Sequence, residues 1–129
     1  MRVPFLAQIA VLVAALGCVA CSDSNMQKDG DGNYVVNTTE LGKDIKGYVG
    51  QTPLNVTINS NGVIVKVEAL QNSETPDFFR PVEEKLLKQL EGKNSSTIDA
   101  VDGVSGATFS SRAVLKNTKA ALDYYHAHK

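Results

Sequence analysis

The stretch "DGVSGATFSSR", Asp102 to Arg112, places small and hydroxyl-bearing side chains directly before a helical pattern. Gly103 and Gly106 allow the backbone to approach a ligand closely or to adopt a positive φ. The helix expected just beyond them offers unpaired N–H groups and a positive dipole end, which favour an anion such as phosphate. Ser105 and Thr108 supply hydroxyls that could bond a phosphate covalently. The residues alone leave two interpretations open, a phosphate site and a tight turn that lets a loop pack on a helix.

Several other classes of site are not indicated by the sequence. The stretch has no G-K-[ST] and does not fit G-x-G-x-x-G, so it is not a nucleotide loop of either type. No Cys follows residue 21, so we expect neither disulfides nor a thiolate metal site in the folded body, and we assign no metal ligands. The net charge of −1, the few aromatic residues and the absence of Trp argue against nucleic-acid binding.

The N-terminus, "MRVPFLAQIAVLVAALGCVAC", has one Arg followed by an apolar run that ends in small residues and Cys. This pattern is typical of a secretory signal and resembles a bacterial lipoprotein leader. The run is borderline for a membrane span, which needs about 20 apolar residues. We therefore expect a signal peptide over 1–20, lipid on Cys21 (with Cys18 as the alternative), a polar tether over 21–44 and a domain over 45–129. The C-x-x-C spacing is interpreted as part of this leader rather than as a redox or metal pair.

A β-hairpin is predicted over about 53–70. Apolar and polar residues alternate in 54–58, as in a strand with one buried face. Asn61-Gly62 then provides a two-residue hairpin turn. In the second strand Val63, Val65 and Val67 alternate with Ile64, Lys66 and Glu68.

Two helices are predicted, over about 81–91 and 110–125. Pro81 suits a first helical position, and an apolar stripe follows it until Gly92 ends the helix. The stripe consists of Val82, Leu86, Leu87 and Leu90. Ser110 or Ser111 would cap the second helix, and we expect its last residues, from His126, to fray.

The predicted fold is therefore α+β, a small antiparallel sheet packed by two helices. Ordered sequence is expected to start near Tyr34 or Ile45, and one short strand is expected around Ile98.

The segment "DGVSGATFSS" resembles the flavinylation motif of the FMN-binding domain family, roughly D-G-x-x-[ST]-G-A-T-x-[ST]. That family includes the flavin subunits of Rnf and sodium-pumping NADH:quinone oxidoreductase complexes. The similarity extends to "NGVIVKVEAL" and "SETP" and covers about residues 45–125. The matching motif positions are Asp102, Gly103, Ser105, Gly106, Ala107, Thr108 and Ser110.

The resemblance implies that Thr108 is joined to the phosphate of FMN by a phosphoester, made by a separate flavin transferase from FAD with Mg²⁺. It implies that Ser105, Gly106 and Ala107 lie beside the phosphate or ribityl chain. Asp102 would help the transferase to position its substrate or Mg²⁺, or would bond the N–H groups of the turn.

The resemblance further implies that Glu74, Thr75 and Pro76 face the flavin, with a plain loop as the alternative. The chain departs from many members at "DFFR", Asp77 to Arg80, so no role is assigned there. Arg112 and Lys116 are interpreted as a solvated helix face rather than as phosphate ligands.

The function implied is an extracytosolic, membrane-anchored electron carrier that bears covalent FMN. Its partners would be the flavin transferase, the membrane through the lipid, and a membrane reductase or another redox protein as donor. No acid–base pair in a substrate pocket is evident, so a stand-alone enzyme is not assigned. The alternatives are a lipoprotein module that binds FMN non-covalently with an assembly or structural role, a structural lipoprotein without flavin, and a small flavin reductase.

Overall fold

A computed structural model describes residues 25–104 and 106–129. Its sheet has four antiparallel strands in the order β1-β2-β3-β4. The strands are β1 (Met26–Lys28), β2 (Tyr34–Asn37), β3 (Leu54–Ile58) and β4 (Ile64–Ala69). Helices pack on this sheet, so the predicted α+β class is confirmed. The leader and both candidate lipidation cysteines lie outside the described residues.

The β1–β2 hairpin lies within the segment that we expected to be a polar tether, and for these residues the expectation was wrong. The turn is built by Asp29, whose Oδ1 accepts the N–H groups of Asp31 at 2.8 Å and Asn33 at 2.9 Å. Gly32 has a φ of +85°, which glycine adopts readily. The repeated Asp-Gly in "DGDGN" is therefore a hairpin signal rather than a linker composition.

The predicted β3–β4 hairpin is present, with an irregularity that changes which residues are buried. Thr57 is opposite Lys66 but Ile58 is opposite Ile64, so Val65 is an extra residue, a β-bulge. The bulge resets the alternation: Ile64 is buried and Val65 is exposed. The predicted alternation of Val63, Val65 and Val67 with their neighbours was wrong at Val65 for this reason.

One helical segment runs from 76 to 90, as α1 (Pro76–Pro81), a π-helical turn (Val82–Leu86) and α2 (Leu87–Leu90). It begins five residues before the predicted start, with Pro76 rather than Pro81 in its first turn. Pro81 lies inside the segment, and the wider π turn follows it directly, which accords with the missing N–H and the bulky ring of proline. The predicted apolar stripe is buried throughout.

The last helix, α3 (Thr108–His128), is longer at both ends than predicted. Ala107 occupies its N-cap position, so neither Ser110 nor Ser111 caps it, and the residues expected to fray are helical. The short strand expected around Ile98 is instead a 3₁₀ turn, Ile98–Ala100. Asn94 favours that turn because its Oδ1 accepts the N–H groups of Ser96 and Thr97.

The core lies between one face of the sheet and the helices. Helix α3 crosses β2 and β3, and the 76–90 segment packs beside it and against β4. Tyr125, near the C-terminal end of α3, is fully buried, and its hydroxyl donates to the carbonyl of Asn59 at 2.9 Å. This packing fixes α3 along its length and places its N-terminus beside the start of α1, where the candidate site lies.

Candidate cofactor-binding site

A cleft of about 340 Å³ opens where the start of α3 meets the start of α1. It brings together the two segments that the sequence analysis singled out, 74–75 and 106–108, although they are more than 30 residues apart. It also includes three aromatic side chains that the sequence analysis did not assign. Its lining residues are Tyr48, Glu74, Thr75, Phe78, Gly106, Ala107, Thr108, Phe109 and Ser110.

Thr108 is the first residue of α3, and its side chain is exposed at the cleft. The preceding turn requires glycine at 106, where φ is +85°. No described side chain caps the helix at Ala107. The first N–H groups of any helix have no intrahelical acceptor, so without a cap those of α3, together with the helix dipole, favour an anion at this end. A hydroxyl and an anion-binding helix end thus occur at the same position.

Glu74 is the buried centre of the cleft wall, with only 6% of its surface exposed. Its Oε1 accepts the N–H of Tyr48 at 2.8 Å and the hydroxyl of Ser110 at 2.5 Å. Its Oε2 accepts the N–H groups of Val49 at 2.6 Å and Gly50 at 2.9 Å. Glu74 therefore joins the 47–50 loop to the first turn of α3, and its oxygens are occupied by protein donors.

The hydrogen bonds to Glu74 also decide its charge. Burial by itself raises the pKa of this carboxyl. The hydroxyl of Ser110 and the backbone N–H groups of Val49, Gly50 and Tyr48 outweigh burial, so the pKa lies below its ordinary value of 4.5. Glu74 is consequently ionised at neutral pH.

Close backbone approaches hold both sides of the cleft. A Cβ on Gly47 would lie 2.2 Å from Oε1 of Glu74, so only glycine allows the loop to reach the carboxylate. A Cβ on Gly103 would lie 2.9 Å from Cβ of Ser111. The N–H of Val104 donates to Oγ of Ser111 at 2.9 Å, which fastens the motif loop to α3. Ser110 and Ser111, predicted as helix caps, thus bond other segments.

Exposed apolar side chains surround the mouth of the cleft. Tyr48 is 71% exposed, Val49 52%, and Phe78 and Phe109 55% each. The rings of Tyr48 and Phe109 have centroids 6.1 Å apart and are inclined by 38°. Of the five large apolar residues that are exposed in the described chain, three line the cleft, Val49 follows Tyr48 in the chain, and Val65 lies in β4. A cluster of this kind is typical of a binding surface.

Several residues that the sequence analysis considered do not line the cleft. Asp102 is exposed and does not line the cleft. Pro76 starts α1 and lines a separate hollow beside the cleft. Arg112 is exposed on α3, with its guanidinium 5.9 Å from the Phe109 ring, and Lys116 is exposed one turn further on. Ser105 lies outside the described residues. No group of three or more potential metal-binding side chains occurs in 25–104 or 106–129.

The dimensions and chemistry of the cleft suit FMN, which combines a flat apolar ring system with a polyol and a phosphate. Small-molecule sites usually enclose about 300–1,000 Å³, and this cleft lies at the lower end of that range. Aromatic side chains provide apolar walls for the ring. The uncapped start of α3 provides donors for the phosphate. The residues present therefore fit the cofactor.

An α+β domain with an uncapped helix start beside an aromatic cleft is suited to carrying a phosphate-bearing cofactor. Residues 47–123, more than half of the chain, match the family model described as FMN-binding domain. The chain belongs to this FMN-binding domain family, whose cofactor is FMN. The resemblance recognised in the sequence is thereby confirmed.

Individual relatives are more distant. The chain is 28% identical over 97 residues to a protein of Vibrio cholerae serotype O1 that is named as a component of an ion-translocating oxidoreductase complex. It is 25% identical over 97 residues to the protein of the same name from Aliivibrio fischeri. Each match covers 64% of this chain and 46% of the relative, so the chain aligns with less than half the length of these proteins. No solved structure matches the chain.

Proposed function

We propose that this chain is an electron-transfer flavoprotein that carries FMN in phosphoester linkage to Thr108. The observation that carries the proposal is the position of Thr108, an exposed hydroxyl on the first residue of a helix without a side-chain cap, at the edge of an aromatic cleft. When bound, FMN supplies one- or two-electron transfer. The protein contributes the attachment point, the anion-binding helix end and the apolar walls.

The attachment would be made by a flavin transferase with FAD and Mg²⁺. The Thr108 oxygen forms a bond to the phosphorus on the FMN side of FAD, the pyrophosphate bond breaks, AMP leaves, and the hydroxyl proton passes to a base of the transferase. The product phosphodiester keeps one negative charge, which the start of α3 would stabilise by about 0.3–1 kcal/mol. Asp102, the exposed first residue of the motif, would help the transferase to position its substrate or Mg²⁺, or would bond the N–H groups of the turn.

We further propose that the domain works outside the cytosol, anchored by lipid on Cys21 or alternatively on Cys18. The leader pattern supports this, and a covalent bond would keep FMN from diffusing away there. In the described part of the chain no helix has the length and apolar character needed to cross a membrane. The relatives' names support a membrane redox complex as the electron donor. The competing function is a lipoprotein module that holds FMN non-covalently.

The test is intact mass under denaturing conditions, on the full-length chain co-expressed with a flavin transferase. We expect a gain of one FMN less one water in the wild type and in Thr39→Ala, and no gain in Thr108→Ala. Thr39 is a suitable control because it is an exposed threonine outside the cleft.

Three other results would contradict parts of the proposal. A gain that persists in Thr108→Ala would place the bond elsewhere. Flavin that co-purifies and is released on denaturation would favour the non-covalent module. Absence of flavin despite an active transferase would overturn the electron-carrier function.

A further inference from the structure

Tyr48 combines an exposed side chain with a firmly held backbone. Its N–H donates to Glu74, and the flanking residues close a tight loop in which the N–H of Gly47 donates to the carbonyl of Gly50 at 2.7 Å. Lys46 and Gln51 form a β-bridge at the base of this loop. The side chain is nevertheless 71% exposed, so packing within the described chain does not account for it. The loop therefore holds the ring of Tyr48 in an exposed position at the cleft.

Two further aromatic rings converge on the same cleft from other elements. Phe78 is in α1, and Phe109 follows Thr108 in the first turn of α3. Both are half-exposed, whereas Phe79, the neighbour of Phe78, is buried in the core. The cleft beside Thr108 is therefore lined by rings from three separate segments of the chain.

We propose that Tyr48 packs its ring against the isoalloxazine ring of FMN attached at Thr108, and that Glu74 is the positioning residue that holds Tyr48 in place. This inference rests on the proposed function. An isoalloxazine ring is flat and aromatic, and such rings prefer offset-stacked or edge-to-face contact with aromatic side chains. The ring planes of Tyr48 and Phe109 are inclined by 38°. A planar ring can therefore contact both of them without lying between two parallel rings.

The proposal has a spectroscopic consequence that a purely structural role for Tyr48 would lack. A phenol in van der Waals contact with a flavin donates an electron to the excited flavin and quenches its fluorescence, and the charge returns without net reaction. Phenylalanine has nearly the same shape but is too poor a donor to quench. The substitution Tyr48→Phe therefore separates contact with the flavin from the packing of the loop.

The experiment compares the fluorescence yield per attached flavin in the full-length flavinylated chain. We expect Tyr48→Phe to raise the yield at least threefold with the absorbance bands nearly unchanged. Glu74→Gln should raise it too, because the loop is then held by fewer hydrogen bonds while Tyr48 is still present. Tyr124→Phe is the matched control, since position 124 lies 16 residues along α3 from Thr108, about 24 Å at 1.5 Å per residue. Its yield should equal that of the wild type.

The outcomes distinguish this inference from the function on which it rests. A wild-type yield in Tyr48→Phe, with flavin attached at Thr108, would overturn the stacking and leave the carrier function standing. A raised yield in Tyr48→Phe with a wild-type yield in Glu74→Gln would overturn only the positioning role. If mass spectrometry shows no flavin on the wild type, the proposed function fails and this inference fails with it.

Discussion

Replacing Glu74 by Gln should destabilise the domain strongly at neutral pH and much less in acid. The carboxylate accepts four hydrogen bonds through two oxygens. Glutamine has nearly the same shape but only one oxygen, so its NH₂ group must face either Val49 and Gly50 or Tyr48 and Ser110. A backbone N–H then meets another donor. The substitution thus removes the charge and breaks at least one bond without leaving a cavity.

The size of the effect follows from the donors involved. Hydrogen bonds to a charged group contribute about 1.5–3 kcal/mol each, and neutral bonds about 1 kcal/mol. The N–H groups of the 47–50 loop can bond to water once the loop loosens, and this limits the decrease in the free energy of unfolding. We therefore expect a decrease of about 3 kcal/mol in the free energy of unfolding, a large part of the 5–15 kcal/mol typical of a domain. For a domain of about 100 residues this lowers Tm by roughly 12–24 °C.

The pH dependence identifies the cause. The pKa of Glu74 is depressed in the folded state, so its contribution to stability is complete above the ordinary value of 4.5. That contribution is lost as the pH falls from 4.5 through the lower folded-state pKa. The difference in unfolding free energy between wild type and Glu74→Gln should therefore be constant near neutrality and shrink in acid.

The assay is urea denaturation of the full-length chain between pH 7 and pH 3, with Glu84→Gln as the control. Glu84 is an exposed carboxylate in the same helical segment, and its substitution should change stability by no more than about 0.5 kcal/mol. If Glu74→Gln is as stable as this control at pH 7, the hydrogen bonds to Glu74 do not stabilise the domain. If its difference from wild type is the same at pH 3 as at pH 7, the charge of Glu74 is not the cause.

Two further substitutions test the packing that holds α3. A Cβ on Gly42 would lie 1.9 Å from Oδ1 of the fully buried Asn117; Gly42→Ala should therefore cost about 3 kcal/mol of unfolding free energy. Gly30→Ala, where no heavy atom lies within 4 Å of the new Cβ, should be near neutral in the same denaturation series. Tyr125→Phe removes the hydrogen bond to the Asn59 carbonyl and should cost about 1 kcal/mol by urea midpoint. A change below about 0.3 kcal/mol there would show that water replaces the bond.

Local chemistry was enough to predict much of this fold. The Asn-Gly turn and the alternation before it identified the β3–β4 hairpin, and the 82–90 stripe identified the buried face of the helical segment. Helix starts and strand alternation were predicted less well, because each depends on contacts distant in sequence. Serine is a residue type that often caps helices, but the hydroxyl of Ser110 donates to Glu74, 36 residues earlier in the chain. The bulge at Val65 depends on how β4 pairs with β3, and the sequence around Val65 does not predict that pairing.

The motif side of the candidate site was predicted from the residues, and Glu74 and Thr75 were predicted from the family resemblance; all but the undescribed Ser105 and the more distant Asp102 line the cleft. The small residues before α3 and the hydroxyl of Thr108 could be found from their types and spacing. The opposite wall could not, because Tyr48 and Phe78 are ordinary apolar residues until the fold leaves them exposed at a cleft. The function of Glu74 was equally hidden, since its loop donors lie 24–26 residues earlier in the chain. A signal was present in Gly47 and Gly50, because two glycines three residues apart favour a tight loop.

The β1–β2 hairpin also determines how far the domain can travel from its proposed anchor. Ordered sequence starting at Ile45 would leave 24 residues after Cys21, enough to extend about 80 Å at 3.3–3.6 Å per residue. The first strand begins at Met26, five residues after Cys21, which limits the span to about 17 Å. With lipid on Cys21, the sheet is kept within about one domain diameter of the bilayer. The domain would then exchange electrons with partners at the membrane surface rather than with partners far from it.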